Sequence, residues 1–192
     1  MIKNKDDLKK YLRADSERYL KLRIPLVIRW LIHEETLRII FYLKVLRYLE
    51  YYINVKTTIP LWGKFMRYVL EFVHRRQSFI YQLHIAPNVC GMGLRVVHLG
   101  GAIHLNANKI GDNCSVTAGV IIGQKDTIEN RPYIGNNVKF TIGAKAIGGI
   151  IIGDNVIVAP NSVVIKDVPS NSVVSGVPAQ IIKKDGKKIS DI

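Results

Sequence analysis

From Ile110 onward every sixth residue is apolar: Ile110, Val116, Ile122, Ile128, Ile134, Phe140, Ala146, Ile152, Val158 and Val164. In a chain that is 48% hydrophobic, ten such positions in succession arise by chance roughly once in a thousand trials. A period of six suits neither a helix, whose apolar stripe recurs at three- and four-residue steps, nor a plain strand, which alternates. It suits a parallel β-helix, where three short strands make a triangular coil of about eighteen residues and each inward aliphatic stacks on its equivalent in the next coil. The period predicts Val116 on Ile134 on Ile152, and Ile122 on Phe140 on Val158. Gly, Asn and Asp, which tolerate the backbone angles of corners, recur in IGDN at 110–113, IGNN at 134–137 and IGDN at 152–155. Residues 85–182 leave room for about five coils. The segment GQKDTIENRPY, Gly123 to Tyr133, keeps the count of six but loses the small-residue pattern and reads as a loop leaving the column. Around Asn108 and Lys109 the frame slips by one, because Ile103 is in phase with Ile85 but not with Ile110.

Before residue 85 the periodicity is helical. Leu37, Ile40, Phe41, Val45 and Tyr48 form one series, and Phe65, Val69, Phe72 and Val73 another. Pro25 and Pro60 punctuate them, so three or four amphipathic helices are expected in residues 4–82. The chain thus divides into a basic α-helical region (1–84), the β-helix (85–182) and a Lys-rich tail (183–192).

The formal net charge is +13, and 17 of the 28 Lys and Arg but only 8 of the 15 Asp and Glu precede residue 85. No zinc-finger spacing, aromatic RNA-binding strand or helix-turn-helix signature accompanies this charge, which points to an acidic ligand or an anionic surface rather than nucleic acid. The start MIKNKDDLKKYLRAD does not read as a secretory leader, and two cysteines, Cys90 and Cys114, fit a reducing cytoplasm without a disulfide. No apolar run reaches the length of a membrane span, since Arg29, Lys44 and Arg47 interrupt the best candidates. The helices at 24–53 carry Trp30, Phe41, Tyr42 and Tyr48 beside Arg29, Arg38, Lys44 and Arg47. That mixture allows peripheral attachment to the inner face of a membrane, although packing on the β-helix is the simpler account.

The stretches Gly91 to Gly123 and Arg131 to Ile182, with His-Leu-Gly-Gly at 98–101 and Gly-Val-Pro-Ala at 176–179, resemble the hexapeptide acyltransferases. The likeness is to the serine acetyltransferase-like branch that includes capsular and exopolysaccharide O-acetyltransferases. The resemblance implies a left-handed β-helix, a homotrimer, and acetyl-CoA bound between neighbouring columns.

The same resemblance marks His98 as the catalytic residue. Expected at a corner after an inward Val97, it faces outward, and imidazole titrates near neutrality, so it can take a proton from an attacking hydroxyl. No nucleophile pair is visible, so the hydroxyl is expected to attack the thioester directly. His104, one hexad later, and His84, about one coil earlier and placed to stack beneath His98, are candidates for the acceptor site, with Arg131 of the loop. Resemblance points to Gly123, Gly143, Ala144, Ala159 and Pro160 as the small residues that admit acetyl-CoA, with Lys125, Lys166 and the lysine tail available to phosphates. Metal is not expected, because His98 and His104, six apart, lack the three-histidine pattern of zinc-dependent β-helix enzymes.

Members of the family that act on a free amino acid hold a carboxylate directly before the catalytic histidine and another before the isoleucine that opens the column. Here those positions are Val97 and His84, and the family's Arg-His-Pro reads Asn130-Arg131-Pro132. These departures favour a cytoplasmic O-acetyltransferase acting on a saccharide hydroxyl over the alternative, a serine O-acetyltransferase of cysteine biosynthesis. A non-catalytic solenoid scaffold is the alternative from another class.

Overall fold

The computed structural model describes residues 1–19, 35–55 and 61–189. Among the described residues three helices, α1 (Lys5–Glu17), α2 (Glu35–Asn54) and α3 (Leu61–Tyr81), precede a column of short parallel strands. Face one of the column is formed by β1 (Leu83–Ile85), β3 (Ile103–Leu105), β6 (Ile121–Gly123), β9 (Lys145–Ile147) and β12 (Val163–Val164). Face two holds β4 (Lys109–Ile110), β7 (Tyr133–Ile134) and β10 (Ile151–Ile152). Face three runs through β2 (Arg95–Val96), β5 (Ser115–Val116), β8 (Lys139–Phe140), β11 (Ile157–Val158) and β13 (Ser172–Gly176). There the chain turns antiparallel into β14 (Ala179–Lys184) and β15 (Lys187–Lys188), so the lysines from 183 to 188 lie on two strands that extend the sheet of face three. The molecule is therefore a parallel β-helix of about five turns with helices at its N-terminal end.

Nine of the ten hexad positions are buried inside the column. The exception is Ile128, which is exposed in the excursion between β6 and β7. That excursion corrects the stacking. Val116 lies on Phe140, not Ile134, and Ile122 on Ala146, not Phe140. The coil containing the loop is longer than eighteen residues, while the next one restores the period, with Ile134 on Ile152 and Phe140 on Val158. At the start, Ile85 pairs with Leu105 rather than Ile103. The first coil takes in two more residues than the period, and β3 to β6 then takes in one fewer, with Leu105 on Ile122.

Corner residues are held by polar ladders. Asn113, Asn137, Asn155 and Asn171 all adopt left-handed backbone angles, φ 56–59°, and the Asn137, Asn155 and Asn171 side chains hydrogen-bond in sequence at 3.2 and 2.9 Å. Asparagine reaches this region more readily than most residues, and its amide both donates and accepts, so one residue type repeats coil after coil.

The first coil has no preceding coil to receive its backbone groups, and the helices supply the missing partners. The N–H of Leu94 donates to Asp15 (3.0 Å), of Val96 to the Tyr19 hydroxyl (2.7 Å), of Asn88 to Glu50 (2.8 Å) and of Ile85 to the Tyr42 hydroxyl (3.2 Å). Arg47, fully buried, ties this layer together. Its guanidinium donates to Asp15 (2.8 Å), Glu50 (2.9 Å) and the carbonyls of Cys90 (2.9 Å) and Gly91 (2.6 Å). Burial works against its charge, but Glu50 and Asp15 outweigh burial and hold its pKa above the usual value.

The helical faces differ from the periodic series in the sequence. On α2 the buried side includes Ile39, Tyr42, Leu43, Leu46 and Leu49, whereas Phe41 and Tyr48 are exposed. This helix is apolar nearly all round, so periodicity alone does not choose a face. Tyr42, expected in a surface-seeking stripe, is instead wholly enclosed, and α2 acts as packing; Arg29 and Trp30 lie outside the described residues. Among the described residues no helix is long and apolar enough to cross a membrane.

Candidate active site

His98 lies on the connection from β2 to β3, at the edge shared by faces three and one. The inward residue before it is Val96, fully buried, and not Val97, which is half-buried; the imidazole itself is 64% exposed. Its Nδ1 stands 3.2 Å from one carboxylate oxygen of Glu35, the first residue of α2. The other oxygen of Glu35 accepts a hydrogen bond from the N–H of Leu99. A carboxylate only accepts, so Nδ1 carries a proton towards Glu35, and in the neutral ring Nε2 holds the lone pair. Held at two points, Glu35 fixes both the tautomer and the ring direction. The sequence reading missed Glu35, since it sought an orienting carboxylate within the coil. The available signal was an acidic pair, Glu34-Glu35, heading an otherwise basic stretch.

His84 does not stack beneath His98. Because the first coil is long, it pairs in register with His104, with ring centroids 6.1 Å apart. Both line a cavity of about 460 Å³ together with His74, Arg75, Ser78 and Asn106. His98 does not line it. Burial, helped by the nearby His84, pushes the His74 pKa down to about 4, and the same two causes in the same order lower that of His104. Arg131 reaches the cavity's rim through Asn106, its Nη1 donating to Asn106 Oδ1 at 3.1 Å. The structure thus brings the three acceptor candidates, His84, His104 and Arg131, to one place.

The residues expected at acetyl-CoA fall into two groups flanking face one. Gly143, Ala159 and Pro160 lie on the same edge as His98, on later coils, where Gly101, Gly119, Gly143 and Asn161 all have left-handed backbones. At Gly143, where φ is +68°, a Cβ would collide with the Asn161 side-chain oxygen, so any other residue must both displace that side chain and adopt a left-handed backbone. Gly123, the last residue of β6, and Lys125 and Lys166, which follow β6 and β12, lie on the opposite edge of the face. Gly123 is buried, while Lys125 and Lys166 are exposed. Ala144 contradicts its expected role. It is fully buried and its methyl points into the column, so it adds core packing and no groove surface.

No family model matches the chain. It is 37% identical over 127 residues to a serine acetyltransferase of Staphylococcus xylosus, which spans 64% of this chain and 59% of that protein. It is 40% identical over 114 residues to one of Staphylococcus aureus, spanning 58% of this chain and 54% of the relative. The chain therefore matches less than two thirds of the length of these relatives. Among solved structures, the serine acetyltransferase of Brucella abortus strain S19 in complex with coenzyme A superposes with a TM-score of 0.69 at 26% identity, over 95% of this chain and 70% of that one. The Neisseria gonorrhoeae enzyme in complex with serine gives 0.62 at 25% identity, over 91% and 67%.

These names overturn the expectation of a saccharide acceptor. That expectation rested on carboxylates lost at positions 84 and 97, and Glu35 restores one beside the imidazole from a different element. In sequence over about two thirds of its length, and in fold over nearly all of it, the chain is thus similar to serine acetyltransferases.

Proposed function

We propose that this chain is an acetyl-CoA-dependent serine O-acetyltransferase with His98 as general base. The observation that carries the reading is the Glu35–His98 pair on an exposed edge of a column whose relatives are serine acetyltransferases. In the proposed reaction the serine hydroxyl gives its proton to His98 Nε2 as its oxygen bonds to the thioester carbonyl carbon. The carbon–sulfur bond then breaks, and the imidazolium returns the proton to the departing thiolate, giving O-acetylserine and free coenzyme A. Glu35 stabilises the imidazolium formed between the two steps. The donor-rich cavity of His84, His104 and Asn106 with Arg131 supports capture of the amino acid's carboxylate. Gly143, Ala159 and Pro160 supply a flat edge for the donor, with Lys125 and Lys166 for its phosphates. The reading includes a homotrimer, with each site completed by a neighbouring copy.

The test is release of free thiol from acetyl-CoA in the presence of L-serine, with O-acetylserine identified by mass. His98→Ala is expected to lower the rate by about 10²- to 10⁴-fold with the thermal transition unchanged. Glu35→Gln, whose amide can present a donor to Nδ1, is expected to give a smaller loss. Serine-independent thiol release, or full activity in His98→Ala, would overturn the reading.

A further inference from the structure

The third helix is turned inside out. Residues on the side of α3 packed against the rest of the chain are small or polar: Gly63, His74, Gln77 and Ser78. Its apolar residues point away. Leu61, Trp62, Phe65, Tyr68, Phe72 and Phe79 are each more than half exposed. The steps between 61, 65, 68, 72 and 79 are those of one helical face, so these side chains make a single stripe along a helix about 31 Å long. Scattered apolar residues on a surface need no explanation, but a contiguous aromatic stripe marks something that covers it.

Charge decides between the candidate partners. Along the helix the stripe is bordered by the exposed Lys64, Arg75 and Arg76, against one acid, Glu71, which is already paired with Arg75 at 2.7 Å. A second copy laid stripe to stripe about a two-fold axis would set these cations against their own equivalents, which is repulsive. An anionic bilayer meets both demands. Its headgroups attract the basic border, and its interfacial zone takes amphipathic Trp and Tyr rings with the Phe and Leu beneath them.

We propose that α3 is a peripheral docking surface for a bilayer bearing anionic lipid, with Trp62, Phe65, Tyr68 and Phe72 entering the interface and Lys64 and Arg76 reading its charge. The helix lies flat, and the column stands off the membrane on its N-terminal end. This goes beyond acetyl transfer and does not depend on it.

The test is co-sedimentation of the full chain with phosphatidylcholine vesicles containing about one third phosphatidylglycerol. The wild-type chain is expected to sediment with these and not with pure phosphatidylcholine, and to be released as salt is raised to about 1 M, where screening is short-ranged. Trp62→Ser combined with Phe65→Ser and Phe72→Ser is expected to cut binding at least about tenfold with the thermal midpoint unchanged, since these side chains are exposed. Lys64→Glu with Arg76→Glu should weaken binding and remove its salt dependence. Equal binding to neutral vesicles, or full binding by the aromatic variant, overturns the proposal. So does a wild-type assembly that the aromatic variant breaks down to smaller species, because the stripe would then belong to a neighbouring copy.

Discussion

The column and its helical cap solve the same problem in opposite ways. Inside the column each strand passes its backbone hydrogen bonds to the next coil, so the inward side chains need only be apolar and close-packed, as Val116, Phe140 and Val158 are. At the first coil there is no neighbour to accept that handover. The helices therefore turn oxygen atoms inward: Asp15, Tyr19, Tyr42, Glu50 and, at the reactive edge, Glu35. A solenoid end must be closed by partners for its backbone. Here the closure supplies the carboxylate that orients His98, which makes the candidate site a product of the fold's termination rather than of its repeat.

Arg47 offers the largest way to break this contrast. It is the only described cation that meets both buried carboxylates of the cap, Asp15 and Glu50. Arg47→Leu would leave two acids enclosed without a counter-charge and is expected to cost about 3–5 kcal/mol. A column substitution that merely trims volume, Ile152→Val, is expected to cost about 1 kcal/mol. Urea denaturation of both variants checks the ranking. A small loss for Arg47→Leu would show that helices and column are held by apolar contact alone.

His74 sharpens the comparison through pH. Its Nε2 lies 3.0 Å from the Tyr42 hydroxyl, which accepts from the backbone of Ile85 and also stands 3.1 Å from Ser78 Oγ, so the ring ends a hydrogen-bonded chain that starts on the column. Burial and the neighbouring His84 and Arg75 lower its pKa to about 4, with Glu71 opposing them. Above the unfolded value near 6.5 the ring is neutral in both states and contributes no pH dependence. As pH falls from 6.5 towards 4 the unfolded chain binds a proton that the folded chain refuses, so stability declines, by on the order of 2 kcal/mol across the window. Below about 4 this contribution levels off. Comparing denaturation midpoints at pH 7 and 4.5 for wild type and His74→Gln isolates it, and an identical decline in the variant would rule His74 out.

The repeat was legible because each coil imposes the same demand on the same position. The excursion at 123–133 was legible in its lost small-residue pattern, but the stacking across it was misread because a period counts residues, whereas the column counts only those that remain inside it. The orientation of α3 was not legible. Periodicity identifies an apolar face, as the series Phe65, Val69 and Phe72 does, but it does not say whether that face meets the protein or something outside it. The acceptor class was misjudged for a related reason. Val97 and His84 were weighed as local losses, while Glu35 stands 63 positions from His98 in the chain and meets it only after the helix packs.

The smallest effect tests the corner ladders, where the column itself relies on polar atoms. Asn155 combines two properties, a left-handed backbone at φ 57° and an amide bonded to Asn137 and Asn171. Asn155→Gly keeps the first and removes the second, and Asn155→Ala removes both. The glycine variant is expected to lose about 1 kcal/mol from the severed ladder, and the alanine variant about 1 kcal/mol more for forcing a Cβ into the left-handed region. Chemical denaturation of the pair resolves the two contributions. Equal losses would mean that the backbone angle costs nothing here and that the amide ladder alone selects asparagine. A glycine variant as stable as wild type would mean the reverse, with the repeated asparagines serving only to turn the chain.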